Sequence, residues 1–382
     1  MKKILLFGPI GDFGGRELEV GFIADALSQK YLVDVCSTSS FSNKSQVFEF
    51  NTSLNVFSLN SLLYHKKRMF KMLSYLSYLK NKKVGAKHDY VNNALLKKYF
   101  NYDEEIAVVL ESLVKGYDAI FVCAQLCSGY VEKSIFYAKK HKLKVFFRTT
   151  GLIKDSAYDF ITDVDCFIHH SLKNARAIPQ ESTYRYTIID QFANNENHLL
   201  NLPITVSEEG VSFGVLGRFS EEKGILKLAN YLSDSAVELY IAGDGPQKQA
   251  LVELANEAAT FHFLGQLEAS ELDDFYAKID VLIIPSLEEA GPLVGLEAMA
   301  AGKVIFSTKV GAMEERLTSV SSPFWFSIDN LKTLDLCMSQ LKAMQHESVI
   351  ELRHQLRRIY VEHYKADYIA KQYVKLVSEF LN

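Results

Sequence analysis

The sequence predicts an α/β protein made of two doubly wound, Rossmann-like domains. Three observations carry that prediction. Short, continuous apolar runs alternate with longer stretches of helical period along most of the chain. The 382 residues exceed one ordinary domain and suit two of about 150–200 each. A polar, Asn-rich segment at 191–210 separates two rounds of the alternation. Continuous apolar strands of this kind belong in a parallel sheet covered on both faces.

The first round opens with Ile4–Phe7, an apolar run ended by Gly8-Pro9. Residues 16–29 follow at helical period, with Leu18, Phe22, Ile23, Ala26 and Leu27 on one face. Val33–Cys36, Ala119–Val122, Val145–Phe147 and Cys166–Ile168 read as further strands. The second round is cleaner. Its strands fall at Ser212–Leu216, Val237–Ala242, His262–Leu264, Val281–Ile284 and Val304–Phe306. Helices fit between them at about 223–233, 246–258, 269–278 and 293–301. The last 20 residues form an amphipathic helix whose apolar set is Tyr368, Ile369, Tyr373, Leu376, Val377 and Phe380. The expected domains are 1–195 and 210–362, with the helix at about 365–382 returning to the first.

Composition excludes several classes. Hydrophobic residues at 48% and charged residues at 23% rule out a disordered or collagenous chain. There is no run of 18 apolar residues, as a membrane-spanning helix would need. The apolar start is four residues long and breaks at Gly8-Pro9, which reads as a buried strand and not an export signal. Cys36, Cys123, Cys127, Cys166 and Cys337 are few and scattered, which argues for a reducing compartment and against a disulfide scaffold. Cys123 and Cys127 lack a partner pair at zinc-site spacing. Charge is uneven: residues 1–200 carry 26 Lys and Arg against 20 Asp and Glu, whereas 201–382 carry 16 against 26. The two halves are therefore expected to meet different partners. Residues 50–88 hold no acid, yet Lys66, Lys67, Arg68, Lys71, Lys80, Lys82, Lys83 and Lys87 interleave there with Met69, Phe70, Met72, Leu73, Leu76, Tyr78 and Leu79. Residues 62–88 are thus expected to form a helix that docks on an anionic membrane surface. No nucleic-acid-binding signature accompanies the basic stretch.

The chemistry concentrates where second-round strands end. Arg218 and Lys223, in Gly217–Gly224, follow the strand 212–216. Open α/β sheets bind ligands at such edges, and two fixed cations suit a diphosphate. The string Pro285–Gly302 places Glu289 in a loop, Gly291-Pro292 at a helix start and Glu297 within that helix. A helix N-terminus at a sheet's C-terminal edge favours anions. Gly243–Pro246 is a glycine-rich turn between strand and helix, weak by itself. Neither G-x-G-x-x-G nor a P-loop occurs. Asp163-Val164-Asp165 has the D-x-D spacing of some metal sites, but directly before a strand it reads as a polar turn.

Together these residues resemble the retaining nucleotide-sugar glycosyltransferases of family 4, which have the GT-B fold. The resemblance runs over residues 210–315 and includes the first strand and its loop; 40–115 and 318–382 match only in layout. It implies two Rossmann-like domains facing across a cleft, the first binding acceptor and the second the donor. Glu289 through Glu297 match the family's E-x7-E motif, with Glu289 by the transferred sugar and Glu297 on the ribose diol. Arg218 and Lys223 match the diphosphate ligands. The resemblance thus makes Glu289, Arg218 and Lys223 the catalytic set. It extends donor binding to Gly14, Gly15, Gly243, Gly245, Phe263, Leu264, Gly291, Pro292, Leu293 and Glu297. Val310–Glu315 resembles a V-G-G-x-x-E loop with Ala312 at the second glycine. The family's histidine near the sugar has no counterpart after strands 119–122 or 145–147. His169 and His170 end the next strand, where a packed or solvated role is expected.

The implied activity is sugar transfer from a nucleotide-sugar, UDP- or GDP-linked, to a lipid-linked or oligosaccharide acceptor in the synthesis of lipopolysaccharide or capsule. It needs no cofactor and no metal. The implied location is cytoplasmic, peripheral on the inner face of the membrane. A non-catalytic partner subunit of the same fold is the other class. A nucleotide-sugar isomerase or phosphorylase using the same pocket is a third.

Overall fold

The computed structural model describes residues 1–179, 184–205 and 210–381; part of the expected linker, 206–209, lies outside the described residues. The chain divides into two compact units. The first comprises Met1–His169, Ala175–Ile189 and Ala370–Asn382, and the second His170–Asn174 and Asp190–Ile369.

The first unit is built on seven strands: β1 (Lys3–Gly8), β2 (Leu32–Ser37), β3 (Asn55–Ser58), β4 (Ala119–Ala124), β5 (Lys144–Thr149), β6 (Cys166–His169) and β7 (Tyr186–Ile188). They pair in the order β3-β2-β1-β4-β5-β6-β7, all parallel. Every residue of β4 is buried because successive side chains face opposite covered sides. Ile120 and Val122 join a core with Ile106, Leu110 and Ile135 from two flanking helices. Phe121 and Phe146 turn the other way, onto Tyr373 and Phe380 of the last helix, Ala366–Leu381.

The second unit holds β8 (Ser212–Leu216), β9 (Glu238–Ala242), β10 (Phe261–Gly265), β11 (Val281–Ile284), β12 (Val304–Ser307) and β13 (Phe324–Trp325). Their order is β10-β9-β8-β11-β12-β13, again parallel. In each sheet the order reverses beside the unit's first strand, between β1 and β4 and between β8 and β11. Ligands of open α/β sheets bind outside the strand ends at such a switch point.

Three strands lack a sequence-predicted counterpart: β3, β7 and β13. All are edge strands of two to four residues. An edge strand need not be apolar on both faces, so no continuous run marks it. The polar segment after 191 is not all linker, since Glu196–Asn201 is a helix. Its Leu199 is buried, and Glu196 accepts hydrogen bonds from the Tyr360 hydroxyl (2.7 Å) and the Ala366 amide (3.0 Å). The basic stretch is not one helix. It breaks at Lys67, which is extended, into Leu59–Lys66 and Arg68–Lys80. Pro292 sits at the N-cap position, just outside the first turn of the helix Leu293–Ala301 and not in it. Among the described residues no helix is long and apolar enough to cross a membrane.

Candidate functional site

Two loops meet at the switch point of the second sheet. One leaves β8 as Gly217–Gly224, and the other leaves β11 as Pro285–Pro292. Gly224 holds a left-handed φ of 67°, and a Cβ there would lie 2.3 Å from the Pro285 carbonyl oxygen. Only glycine allows that approach. The Leu287 amide donates to the Glu222 carbonyl at 2.8 Å and joins the loops a second time.

That junction brings Lys223 to Glu289. The ammonium pairs with Glu289 Oε1, which also accepts from Ser286 Oγ at 3.0 Å. Both side chains are largely but not fully shielded. The Thr308 hydroxyl in turn donates to the Ser286 carbonyl at 2.6 Å. The loop after β12 presses from below. A Cβ on Gly311 (φ 52°) would sit 2.5 Å from the Ala290 carbonyl oxygen, so glycine is required there. Ala312 adopts φ −76°, which any L-residue tolerates, and this accounts for alanine at that place.

Arg218 stands apart from the pair. It is exposed, has no ion-pair partner among the described residues, and lines an open groove of about 640 Å³ with Gly217, Gly243, Gly245 and Gln266. The groove's floor is two backbone turns in contact. A Cβ on Gly243 would fall 1.9 Å from the Gly217 carbonyl oxygen. The Phe219 amide donates to Asp244 and the Gln247 amide to Phe219, at 2.8 and 2.9 Å. Phe263 packs its ring 5.8 Å from that of buried Phe219 and is half-buried, as is Leu264.

Glu297 is placed differently. It lies inside the helix Leu293–Ala301, is 3% exposed, and accepts from the Tyr276 hydroxyl at 3.1 Å. Burial pushes its carboxyl up to about 7, against a smaller lowering by Tyr276. Gly14 and Gly15 belong to the first unit. They follow β1 at the start of the helix Gly15–Ser28, where the Gly14 amide donates to Gln46 Oε1 at 2.8 Å. The structure thus joins Lys223 with Glu289, gathers Arg218 with Gly243 and Gly245, and buries Glu297 within the helix that starts at Leu293, directly after Gly291 and Pro292.

Sequence reasoning missed Arg316. Its guanidinium is fully shielded, grips Asp190 through Nε (2.8 Å) and Nη2 (2.7 Å), and donates to the Pro292 carbonyl. It therefore fixes the chain where the helix after Glu289 starts. Nothing local announces this, because Asp190 lies 126 residues away. His169 is buried, with Nδ1 2.9 Å from Thr149 Oγ1. Burial, then the charge of Arg148, pushes its pKa down to about 3, so it is neutral at pH 7. Asp165 accepts from Lys139, Lys144 and the Val145 amide. Burial pulls its carboxyl upward, but these donors outweigh it and hold it below the ordinary range.

Comparison with known proteins bears on this unit first. Residues 210–334 match the family described as Glycosyl transferases group 1. That match lies wholly within the second unit. It encloses Arg218, Lys223, Glu289 and Glu297. Curated relatives agree over similar lengths. The sulfoquinovosyl transferase SQD2 of Arabidopsis thaliana is 31% identical over 134 residues, 35% of this chain and 26% of that protein. A lipopolysaccharide 1,2-N-acetylglucosaminetransferase of Salmonella typhimurium is 28% identical over 142 residues, 33% of this chain and 37% of that protein. The matched stretch is thus well under half of either relative. Solved structures extend the likeness to the whole chain. HepE from Anabaena, in complex with UDP, superposes with TM-score 0.72 at 15% identity, covering 99% of this chain and 100% of its own. The sucrose-phosphate synthase of Thermosynechococcus elongatus gives 0.69 at 16% identity, covering 100% and 99%. The chain has the GT-B fold.

Proposed function

We propose that the protein is a retaining glycosyltransferase that moves a sugar from a nucleotide-sugar donor to a lipid-linked saccharide acceptor in surface-polysaccharide synthesis. One observation carries the reading: the stretch that matches the group 1 family holds Arg218, Lys223 and Glu289 on two joined loops at its switch point. That is where an anionic donor belongs. The UDP and UDP-glucose bound by HepE support a nucleotide-sugar as donor. The lipopolysaccharide transferase among the relatives supports the acceptor class. Five unpaired cysteines suit a reducing, cytoplasmic location.

The reaction breaks the bond between the anomeric carbon and the donor phosphate, and the electron pair leaves with the phosphate oxygen. Arg218 and Lys223 stabilise that growing charge as a fork and a point charge. This assigns the leaving-group task to cations of the chain, without a metal or cofactor. Glu289 accepts from the sugar's hydroxyls and faces the carbon as it becomes cationic. Until donor binds, it also holds the Lys223 ammonium. The acceptor hydroxyl attacks the face the phosphate leaves, and its proton passes to the departing phosphate. The configuration is thereby kept without a covalent intermediate.

The test is to incubate the protein with UDP- and GDP-sugars and a lipid-linked acceptor, and to follow nucleoside diphosphate release and product anomericity by NMR. Release coupled to a product of retained configuration is expected. An inverted product would overturn the mechanism. An isomerised or phosphorolysed donor, or a donor that binds but never turns over, would overturn transfer itself.

A further inference from the structure

The helix Arg68–Lys80 in the first unit turns its apolar face to solvent. Phe70 and Ser74 point inward, and half-buried Leu73 rests on the core. Met69, Met72, Tyr75, Leu76 and Leu79 are 39–54% exposed, and Val84 just beyond is 67% exposed. With 3.6 residues per turn, Met69, Met72, Leu76 and Leu79 form one stripe. Water-facing helix surfaces are ordinarily polar, so this stripe is inverted. A contiguous exposed apolar patch marks an interaction site.

The surrounding charge narrows the partner. Glu105 takes up Lys66 and Lys67. Arg68, Lys71, Lys80, Lys82, Lys83 and Lys87 are all exposed, and among the described residues none of them pairs with an acid. Lys71 lies over the Tyr64 ring and Lys87 over that of Tyr75. Lys82 and Lys83 take left-handed φ of 57° and 62°, which turns the chain sharply after the helix. The stripe is thus bordered by cations at both ends, with Met, Leu and Tyr between them. A protein partner would have to match both a flat apolar face and six separate positive charges. An anionic bilayer does so without shape: acyl chains receive the stripe and headgroups receive the lysines.

We propose that residues 68–87 dock this unit on an anionic lipid surface, with the helix Arg68–Lys80 lying in the headgroup plane. The occupant is the lipid bilayer. This stands apart from the donor site, since none of these residues lies in the stretch that matches the group 1 family.

The test is flotation of the full chain with vesicles of phosphatidylcholine alone and with about 30% phosphatidylglycerol, at low and high salt. Binding is expected only with the anionic lipid and is expected to weaken as salt shortens the screening length. Lys80, Lys82, Lys83 and Lys87 all changed to Gln should lower partitioning on the order of 1000-fold. Met72→Gln with Leu76→Gln should lower it without altering the salt dependence. Both variants change exposed side chains, so unchanged circular dichroism and unchanged binding of UDP or GDP serve as controls. Equal binding to neutral vesicles, or none to either, overturns the proposal. So does a dimer in light scattering that Leu76→Gln dissolves, because the stripe would then be covered by a second copy.

Discussion

Lys223 and Glu289 are each other's partners before any ligand arrives, and this changes what a substitution at either should do. In the proposed mechanism, Arg218→Ala and Lys223→Ala each remove a charge-assisted contact to the leaving group. We expect turnover to fall by about 2–4 kcal/mol of transition-state stabilisation in each case, with the thermal transition unmoved in Arg218→Ala and slightly lowered in Lys223→Ala, where Glu289 loses its ion pair. Near-normal steady-state rates in both variants would dispose of the clamp. Glu289→Gln frees the ammonium and, in the same proposal, weakens the grip on sugar. Its turnover should fall at least as far, yet calorimetry should show free nucleoside diphosphate bound as tightly as before or more so. Glu297 differs because its carboxyl is buried and titrates near 7 rather than 4.5. Between those values the folded protein keeps a proton that the unfolded chain has lost. This contribution therefore favours folding below about pH 4.5, weakens as pH rises to about 7 and is then constant. Its full size is on the order of 3 kcal/mol. The difference between the urea-unfolding curves of wild type and Glu297→Gln should trace that slope; a flat difference would mean that the buried carboxyl is ionised throughout.

The helix Leu293–Ala301 is positioned by more than its own sequence. Arg316 holds Asp190 on one side and the carbonyl of Pro292 on the other, so it sets the angle at which the helix leaves the Glu289 loop. Arg316→Ala would strand the shielded Asp190 carboxylate, at a cost of about 3–5 kcal/mol. Denaturant unfolding should show that loss, and Asp190→Leu combined with Arg316→Met should recover most of it while turnover stays low. A double variant as unstable as Arg316→Ala would place the cost elsewhere. The same elements show what a sequence reveals. β8, β11 and the helix 293–301 were predicted to the residue because each is a continuous apolar or small-residue run with a loop signal behind it. β3, β7 and β13 left no such mark because an edge strand is covered on fewer sides. Arg218, Lys223 and Glu289 were visible as charges directly after buried strands. Arg316 was not, because its worth comes from Asp190, and a pairing across 126 residues has no local pattern. The inverted stripe of 68–80 was legible only in part. The periodicity marked its apolar side, but whether that side meets core or water depends on what packs against it.

At the scale of the molecule, one unit carries the stretch that matches the group 1 family and the other carries the basic helix, so their ligands should be separable. Two such units need not unfold together, and a ligand of one should move one transition. UDP or GDP at about 100 times its dissociation constant adds about 2.7 kcal/mol to whatever unit binds it. Scanning calorimetry should therefore show the transition of residues 190–369 rise with nucleotide. Hydrogen exchange should slow at 217–224 and 286–297, where the loops of β8 and β11 meet. The effect should survive excess EDTA, and so should turnover, because the groups assigned to the phosphates are an arginine and a lysine. Complete loss of turnover with EDTA, restored by a divalent ion, would shift the leaving-group task from Arg218 and Lys223 to a metal. Protection confined to the first unit would instead move the donor away from the switch point, and with it every role assigned to Glu289.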